Sequence, residues 1–120
     1  MPYSKGDVIL VRFPFADLTE YKKRPALVIQ SEAVATGLEQ WLVAKITSNL
    51  DRTGDSRVLV GKDSAEGHEM GLLTDSVIVL DHIATVVDRE VDQVLGRCSD
   101  LSKIDDALCA ILGLSVRRER

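Results

Sequence analysis

Cysteine is scarce in this chain: Cys98 and Cys109 are the only two, too few for a disulfide framework, and nothing in the sequence points to export. Both read as buried, reduced thiols, which fits a cytoplasmic protein. No CxxC or HExxH pattern occurs, so neither a structural zinc site nor another metal centre is expected. No apolar run approaches the roughly 18 residues of a membrane span. The start, Met1-Pro2-Tyr3-Ser4-Lys5-Gly6, lacks the apolar core of a signal peptide. Also missing are a Ser-His-Asp order, a phosphate-cradling glycine loop and a dinucleotide fingerprint. An overall basic charge is absent too: the net value is −4, which argues against a general nucleic-acid coat.

What is present is a core. Of the 120 residues, 45% are hydrophobic, enough for one domain spanning 1–120 without staples. The charge is unevenly spread. Residues 1–60 carry eight Lys/Arg against seven Asp/Glu, residues 61–115 carry four against eleven, and the last five residues add +2. A polyanion would therefore bind locally, near the N-terminal half or the tail, because phosphate affinity depends on local contacts.

The apolar runs are short and rich in β-branched residues. Asp7 to Phe13, Ala26 to Ile29, Trp41 to Ile46 and Arg57 to Val60 read as strands. Pro14 closes the first. Ser31 to Gln40 reads as a loop or one helical turn, and Gly61 to Gly71, with three glycines and many charges, mainly as a loop. Val77 to Leu80 and Ile83 to Val87 are two more β runs or one bent strand. Asp92 to Cys98 fits a last strand or a short helix; Val94 and Gly96 favour the strand. Leu101, Ile104, Leu108, Ile111 and Leu112 recur at helical spacing. Ser102 is placed to cap that helix, Asp105 completes a weak capping box, and Gly113 is placed to end it. The class expected is mainly β with a C-terminal helix, as a small, strongly bent sheet or barrel with the helix packed on it.

Three places carry candidate chemistry. The first is Lys22-Lys23-Arg24-Pro25 at the mouth of the second strand. Arg24 is always protonated and offers five donors in a planar fork, and Pro25 biases it toward an extended backbone. Glu20 lies four residues earlier, placed to hold Arg24 or to act as a base. Taken alone, such a cluster is most often a solvated loop. The second is Ala44-Lys45-Ile46-Thr47-Ser48-Asn49, where an apolar strand ends in three small hydrogen-bonding residues able to donate to phosphate oxygens, although the same residues favour ordinary turns. The third is Asp81-His82, a carboxylate beside an imidazole that suits proton transfer but is more often a turn between strands. His68 reads as a solvated loop residue. Trp41 and Tyr21 are able to stack on bases, though a lone Trp at a strand start belongs more often to a core. Cys98 shows no feature that would activate it.

In order along the chain, Gly6-Asp7-Val8, Phe13-Pro14, Arg24-Pro25-Ala26-Leu27-Val28-Ile29, Ile46-Thr47-Ser48 and Asp75-Ser76-Val77-Ile78 resemble the MazF/PemK family of type II toxins. The resemblance implies an SH3-like small barrel of the MazF/PemK/CcdB type that forms a homodimer. It implies an endoribonuclease that cuts single-stranded RNA (mRNA) at short sequences without a metal, leaving a 2′,3′-cyclic phosphate and a 5′-hydroxyl, and so inhibits growth. It implies a cognate antitoxin whose acidic tail blocks the RNA groove. By the same resemblance Arg24 and Thr47 are the catalytic pair. Glu20, Asp81 and His82 are then candidates for the general base. Lys22, Lys23, Ser48, Asn49 and His82 are candidates for RNA contact. Two departures stand out. The segment Asp17 to Lys23 has no glycine where many members have several, so cleavage specificity does not carry over. Ala84 replaces an arginine common in the family. The alternative is a non-catalytic binding module on the same fold, directed at protein or RNA.

Overall fold

The computed structural model describes residues 3–12, 23–51 and 53–115. Six strands make one antiparallel sheet: β1 (Asp7–Val11), β2 (Arg24–Val28), β3 (Gln40–Thr47), β4 (Arg57–Val60), β5 (Ser76–Val87) and β6 (Val91–Arg97). Their order across the sheet is β4-β5-β3-β2-β1-β6. Helix α1 (Ala65–Met70) lies between β4 and β5, and helix α2 (Ser102–Leu112) follows β6. The mainly β class with a C-terminal helix is as the sequence implies. The implied barrel is open: among the described residues no ladder joins β4 to β6, and these two form the edges. Phe13, Pro14, Glu20, Tyr21 and Lys22 lie outside the described residues.

Period-two alternation sorts the strands onto two faces. On one face Val8, Leu27, Ala44, Ile46, Ile78 and Leu80 pack with Met70 of α1 and with Ile104 and Ala107 of α2. On the other, Ile9, Val11, Ala26, Val28, Trp41, Val43 and Val86 form a second buried cluster. Trp41 is 1% exposed, and Tyr3 meets it edge-to-face with ring centroids 5.6 Å apart. Trp41 is a core residue, and base stacking is closed to it. Each fully buried Val, Leu or Ile contributes about 1.5–3 kcal/mol, so the two faces together supply most of the drive to fold.

Val77 to Val87 is the single bent strand allowed by the sequence, and the bend has a local cause. Lys45 pairs with Val79 but Ala44 pairs with Ile83. Leu80, Asp81 and His82 therefore have no partner on β3 and form an outsized bulge. Asp81-His82 is thus a bulge within a strand and not a turn between two.

Two local readings need correction. Gly61 to Gly71 contains helix α1 as well as loop: Ser64 caps it, its side chain accepting from the Gly67 N–H, and Gly71 ends it in the left-handed conformation at φ 72°. Ser102 is not the cap of α2 but its first residue: Leu101 holds the cap position without a side-chain hydrogen bond, and the Asp100 carboxylate before it accepts from the Ser102 backbone at 3.1 Å and hydroxyl at 2.7 Å. Gly113 does end α2, with the Leu114 N–H donating to the Cys109 carbonyl. Cys98 is buried and Cys109 half-buried, both as free thiols. Burial, then Glu69 and Asp100, push the Cys98 thiol up, away from the thiolate that reacts.

The α1 and β6 backbones meet at Gly96. A Cβ there would overlap the Glu69 carbonyl oxygen and the Met70 carbonyl. Gly96→Ala is expected to destabilise by about 1–3 kcal/mol, the usual cost of overpacking, read from urea unfolding. A change within error would show that this backbone contact is loose.

Candidate active site

The β2/β3 ladder runs Val28–Val43, Leu27–Ala44, Ala26–Lys45 and stops there. The next residue, Pro25, has no N–H to offer. Carrying that register on by two residues brings Arg24 level with Thr47, on the same face of the sheet. From its other side Arg24 is held by β1, paired with Val11. Arg24 is exposed and Thr47 half-buried. Arg24 and Thr47 thus lie at neighbouring strand ends, just beyond the last paired residues of the ladder.

Just past Thr47 the chain turns on its own side chains. The Asn49 N–H donates to Thr47 Oγ1 at 3.2 Å, and the Asp51 N–H donates to Asn49 Oδ1 at 3.1 Å. The Thr47 oxygen accepts from the backbone and still carries its own proton to donate. Ser48 and Asn49 are exposed beside it. The turn-forming reading of these residues holds, and the turn leaves the Thr47 hydroxyl proton unused by it.

Asp81 is engaged more heavily than its sequence context suggests. Arg57 grips it with two hydrogen bonds, Nε to Oδ1 at 3.1 Å and Nη2 to Oδ2 at 2.8 Å, and Ser56 Oγ donates to Oδ1 at 3.2 Å. Arg57 Nη1 also donates to the Thr53 carbonyl at 2.9 Å. This clamp ties the β3–β4 connection to the β5 bulge. The Arg57 hydrogen bonds hold the Asp81 carboxyl below its ordinary range, outweighing the opposite push of burial, with smaller help from its own backbone and Ser56. A carboxylate so stabilised is a weaker proton acceptor. His82 is half-buried in the same bulge. Lys23 is ion-paired with Asp92 of β6 at 2.8 Å. Glu20 and Lys22 fall outside the described residues. His68 is exposed, on α1.

The structure thus brings Arg24, Thr47, Ser48 and Asn49 to one strand end. Lys23 lies at the β6 side, and Asp81 and His82 sit in the β5 bulge. Sequence reasoning missed Arg57 and Ser56. Their partner Asp81 is more than twenty residues away, and the only hint is a charge opening a short apolar strand. Among the described residues no group of three or more His, Cys, Asp or Glu side chains is placed to hold a metal ion. No helix among them is long and apolar enough to cross a membrane.

Residues 4–112 match the family described as PemK-like, MazF-like toxin of type II toxin-antitoxin system. The chain belongs to this family. Solved structures agree in fold with this MazF-like toxin. An endoribonuclease in complex with its cognate antitoxin, from a mycobacterial species, matches with TM-score 0.72 and 24% identity, covering 96% of this chain and 99% of that one. The Mycobacterium tuberculosis toxin MazF-mt6 matches with TM-score 0.71 and 21% identity, covering 92% and 99%. The MazE-MazF structure from Deinococcus radiodurans gives TM-score 0.66 and 19% identity, covering 95% and 97%. No curated protein sequence gives a significant match.

The Asp81 clamp makes a testable claim. Asp81→Asn should cost about 1 kcal/mol near neutral pH, the upper end for an exposed ion pair. Because the folded pKa of Asp81 lies below the unfolded one, its stabilisation is complete above about pH 4 and is lost as pH falls through the folded value. The gap between wild type and variant in urea unfolding should therefore narrow on acidification below about pH 4. A gap of constant size into strong acid would show that charge is not its source.

Proposed function

We propose that this type II toxin is a metal-independent endoribonuclease that cleaves single-stranded RNA to 2′,3′-cyclic phosphate and 5′-hydroxyl ends. The observation that carries the reading is Arg24 level with Thr47 at a strand end that Pro25 keeps open. In this chemistry a base takes the 2′-hydroxyl proton and the 2′-oxygen attacks the adjacent phosphorus. The phosphorus–O5′ bond then breaks, and the departing 5′-oxygen gains a proton. Negative charge builds on the non-bridging oxygens along the way. Arg24 meets that charge with fixed donors whose grip strengthens in the transition state. As a permanent cation it serves no base function. The Thr47 hydroxyl, with Ser48 and Asn49 beside it, orients the phosphate.

The base is drawn from Glu20, Asp81 and His82. Asp81 is the weakest of the three, since Arg57 and Ser56 already stabilise its charged form. Lys22 and Lys23 supply positive potential to an RNA approaching from the β2 entry, with Lys23 giving up its Asp92 partner to do so. The solved relative bound to a cognate antitoxin supports a protein partner for this chain as well, with an acidic segment that competes for the same cationic strand end. A homodimer completes the reading, as two such sheets would form a shared RNA groove.

A non-catalytic binding module is the second reading. Ala84 favours it, because this residue packs against the second core cluster where many relatives carry an arginine. One assay separates the two: incubation of the purified protein with a long mixed-sequence RNA, with and without EDTA, followed by end mapping. Cuts that resist EDTA and carry 5′-hydroxyl ends support the nuclease; RNA binding without cuts supports the module. Arg24→Ala should lower cleavage by about 10²-fold or more, the scale of one lost transition-state donor, with the oligomeric state in light scattering unchanged. Near-normal cleavage by the folded variant would remove Arg24 from the mechanism.

A further inference from the structure

Strands β3 and β4 follow one another along the chain, yet β5 lies between them in the sheet. Both run antiparallel to β5, so they are parallel to each other. Their link, residues 48–56, is therefore a crossover past β5. Crossovers between parallel strands usually take a dozen or more residues and include a helix. This one takes nine, and its described residues form neither helix nor strand. Individual hydrogen bonds hold it instead. At the β3 end Thr47 Oγ1 accepts from the Asn49 N–H, and Asn49 Oδ1 accepts from the Asp51 N–H. At the β4 end the Arg57 N–H donates to the Gly54 carbonyl, and the Leu80 N–H donates to the Ser56 carbonyl. The Arg57 guanidinium joins this end to β5: Nη1 donates to the Thr53 carbonyl, while Nε and Nη2 hold Asp81 in the bulge. One planar fork thus fixes a backbone group and a carboxylate together, which a lysine ammonium does not reproduce.

The fold itself gains little from this arrangement. The Arg57 and Asp81 side chains are 25% and 28% exposed, and ion pairs open to water contribute little to stability. The β4/β5 ladder also continues beyond them, with Val58, Leu59 and Val60 paired to Ile78, Val77 and Ser76. What the clamp does hold is the stretch of chain that leaves Thr47, on which Ser48 and Asn49 stand exposed. We propose that Arg57 and Asp81 are positioning residues of the RNA site: they tie the far end of the crossover to β5 and so fix Ser48 and Asn49 beside Thr47. This rests on the nuclease reading for the reaction, and it deepens that reading by taking Asp81 out of the candidate bases. A carboxylate that already accepts three hydrogen bonds from Arg57 and Ser56 is poorly suited to take a 2′-hydroxyl proton.

The test uses the full-length protein and a long mixed-sequence RNA. Single-turnover cleavage is followed over a range of protein concentration and from about pH 5 to about pH 9. Arg57→Gln and Asp81→Asn each open the clamp and leave the backbone unchanged. Both should lower the saturated rate by about 10- to 100-fold, the scale of a misplaced group, and shift half-saturation by less than about threefold. The double variant should be no slower than either single one, as expected of one coupled unit. Arg57→Lys should fall between Arg57→Gln and wild type, and it repeats the measurement if Arg57→Gln does not fold. The acid limb of the pH–rate profile should keep its midpoint in every variant. Amide hydrogen exchange at Asn49 and Asp51, read by NMR, should quicken in each. Wild-type rates in the folded variants overturn the proposal. So does a loss confined to Asp81→Asn with disappearance of the acid limb, which would make Asp81 the base. So does unchanged exchange at Asn49 and Asp51. If the wild type cuts no RNA, the nuclease reading fails, while exchange at these two amides still decides whether the clamp holds the turn.

Discussion

Strand β3 is paired on both sides, with β2 and with β5, and its alternation must serve two environments at once. One side runs from a half-buried Gln40 and an exposed Leu42 to Ala44 and Ile46, which enter the core under the helices. The other begins as core at Trp41 and Val43 and changes to Lys45 and Thr47 without any break in the strand. A sheet fixes the direction of every second side chain, so the chemistry of the outer rows is set by the same register that buries the core. Sliding β3 by one residue would bury Lys45 and Thr47 and turn Ala44 and Ile46 outward. The packing energy that holds the register therefore also holds the cationic strand end in place.

The electrostatics follow the same economy of place. The chain is acidic overall, yet Arg24, Lys45 and Arg57 share one face of β2, β3 and β4. Of the three, Arg57 is turned to structural use by its clamp on Asp81 and Thr53. That clamp fixes the connection that starts at Thr47, so the turn bearing Ser48 and Asn49 is anchored at both ends.

Much of the fold was legible in the sequence because the signals were local. β4 was read with its observed ends, and β1, β2, β3 and β6 lay within a few residues of theirs, since β-branched runs between turn residues report strands directly. The helical spacing of Leu101, Ile104 and Leu108 did the same for α2. Helix α1 was hidden by the glycines at 67 and 71, although Ser64 and Gly71 are ordinary start and stop residues. Whether the sheet closes was not legible, because closure depends on how two strands distant in sequence meet. The site divided in the same way. Arg24 and Thr47 stood out as candidates only once the family resemblance was added to the residues around them. The clamp of Arg57 on Asp81 was not legible, since which face a strand residue occupies, and what opposes it, appears only once the register is known.

The bulge at Leu80, Asp81 and His82 has a consequence for how β5 is built. Before it, odd-numbered residues such as Val79 share the face of Lys45; after it, even-numbered residues such as Ala84 and Val86 share that face with Val43 and Trp41. The excursion is thus a phase inverter, and it inverts because its length is odd. Gain or loss of a single residue there would set the two halves of the strand at cross purposes, whereas gain or loss of two would keep both faces in step. Length variation at this point of the chain is governed by parity more than by size.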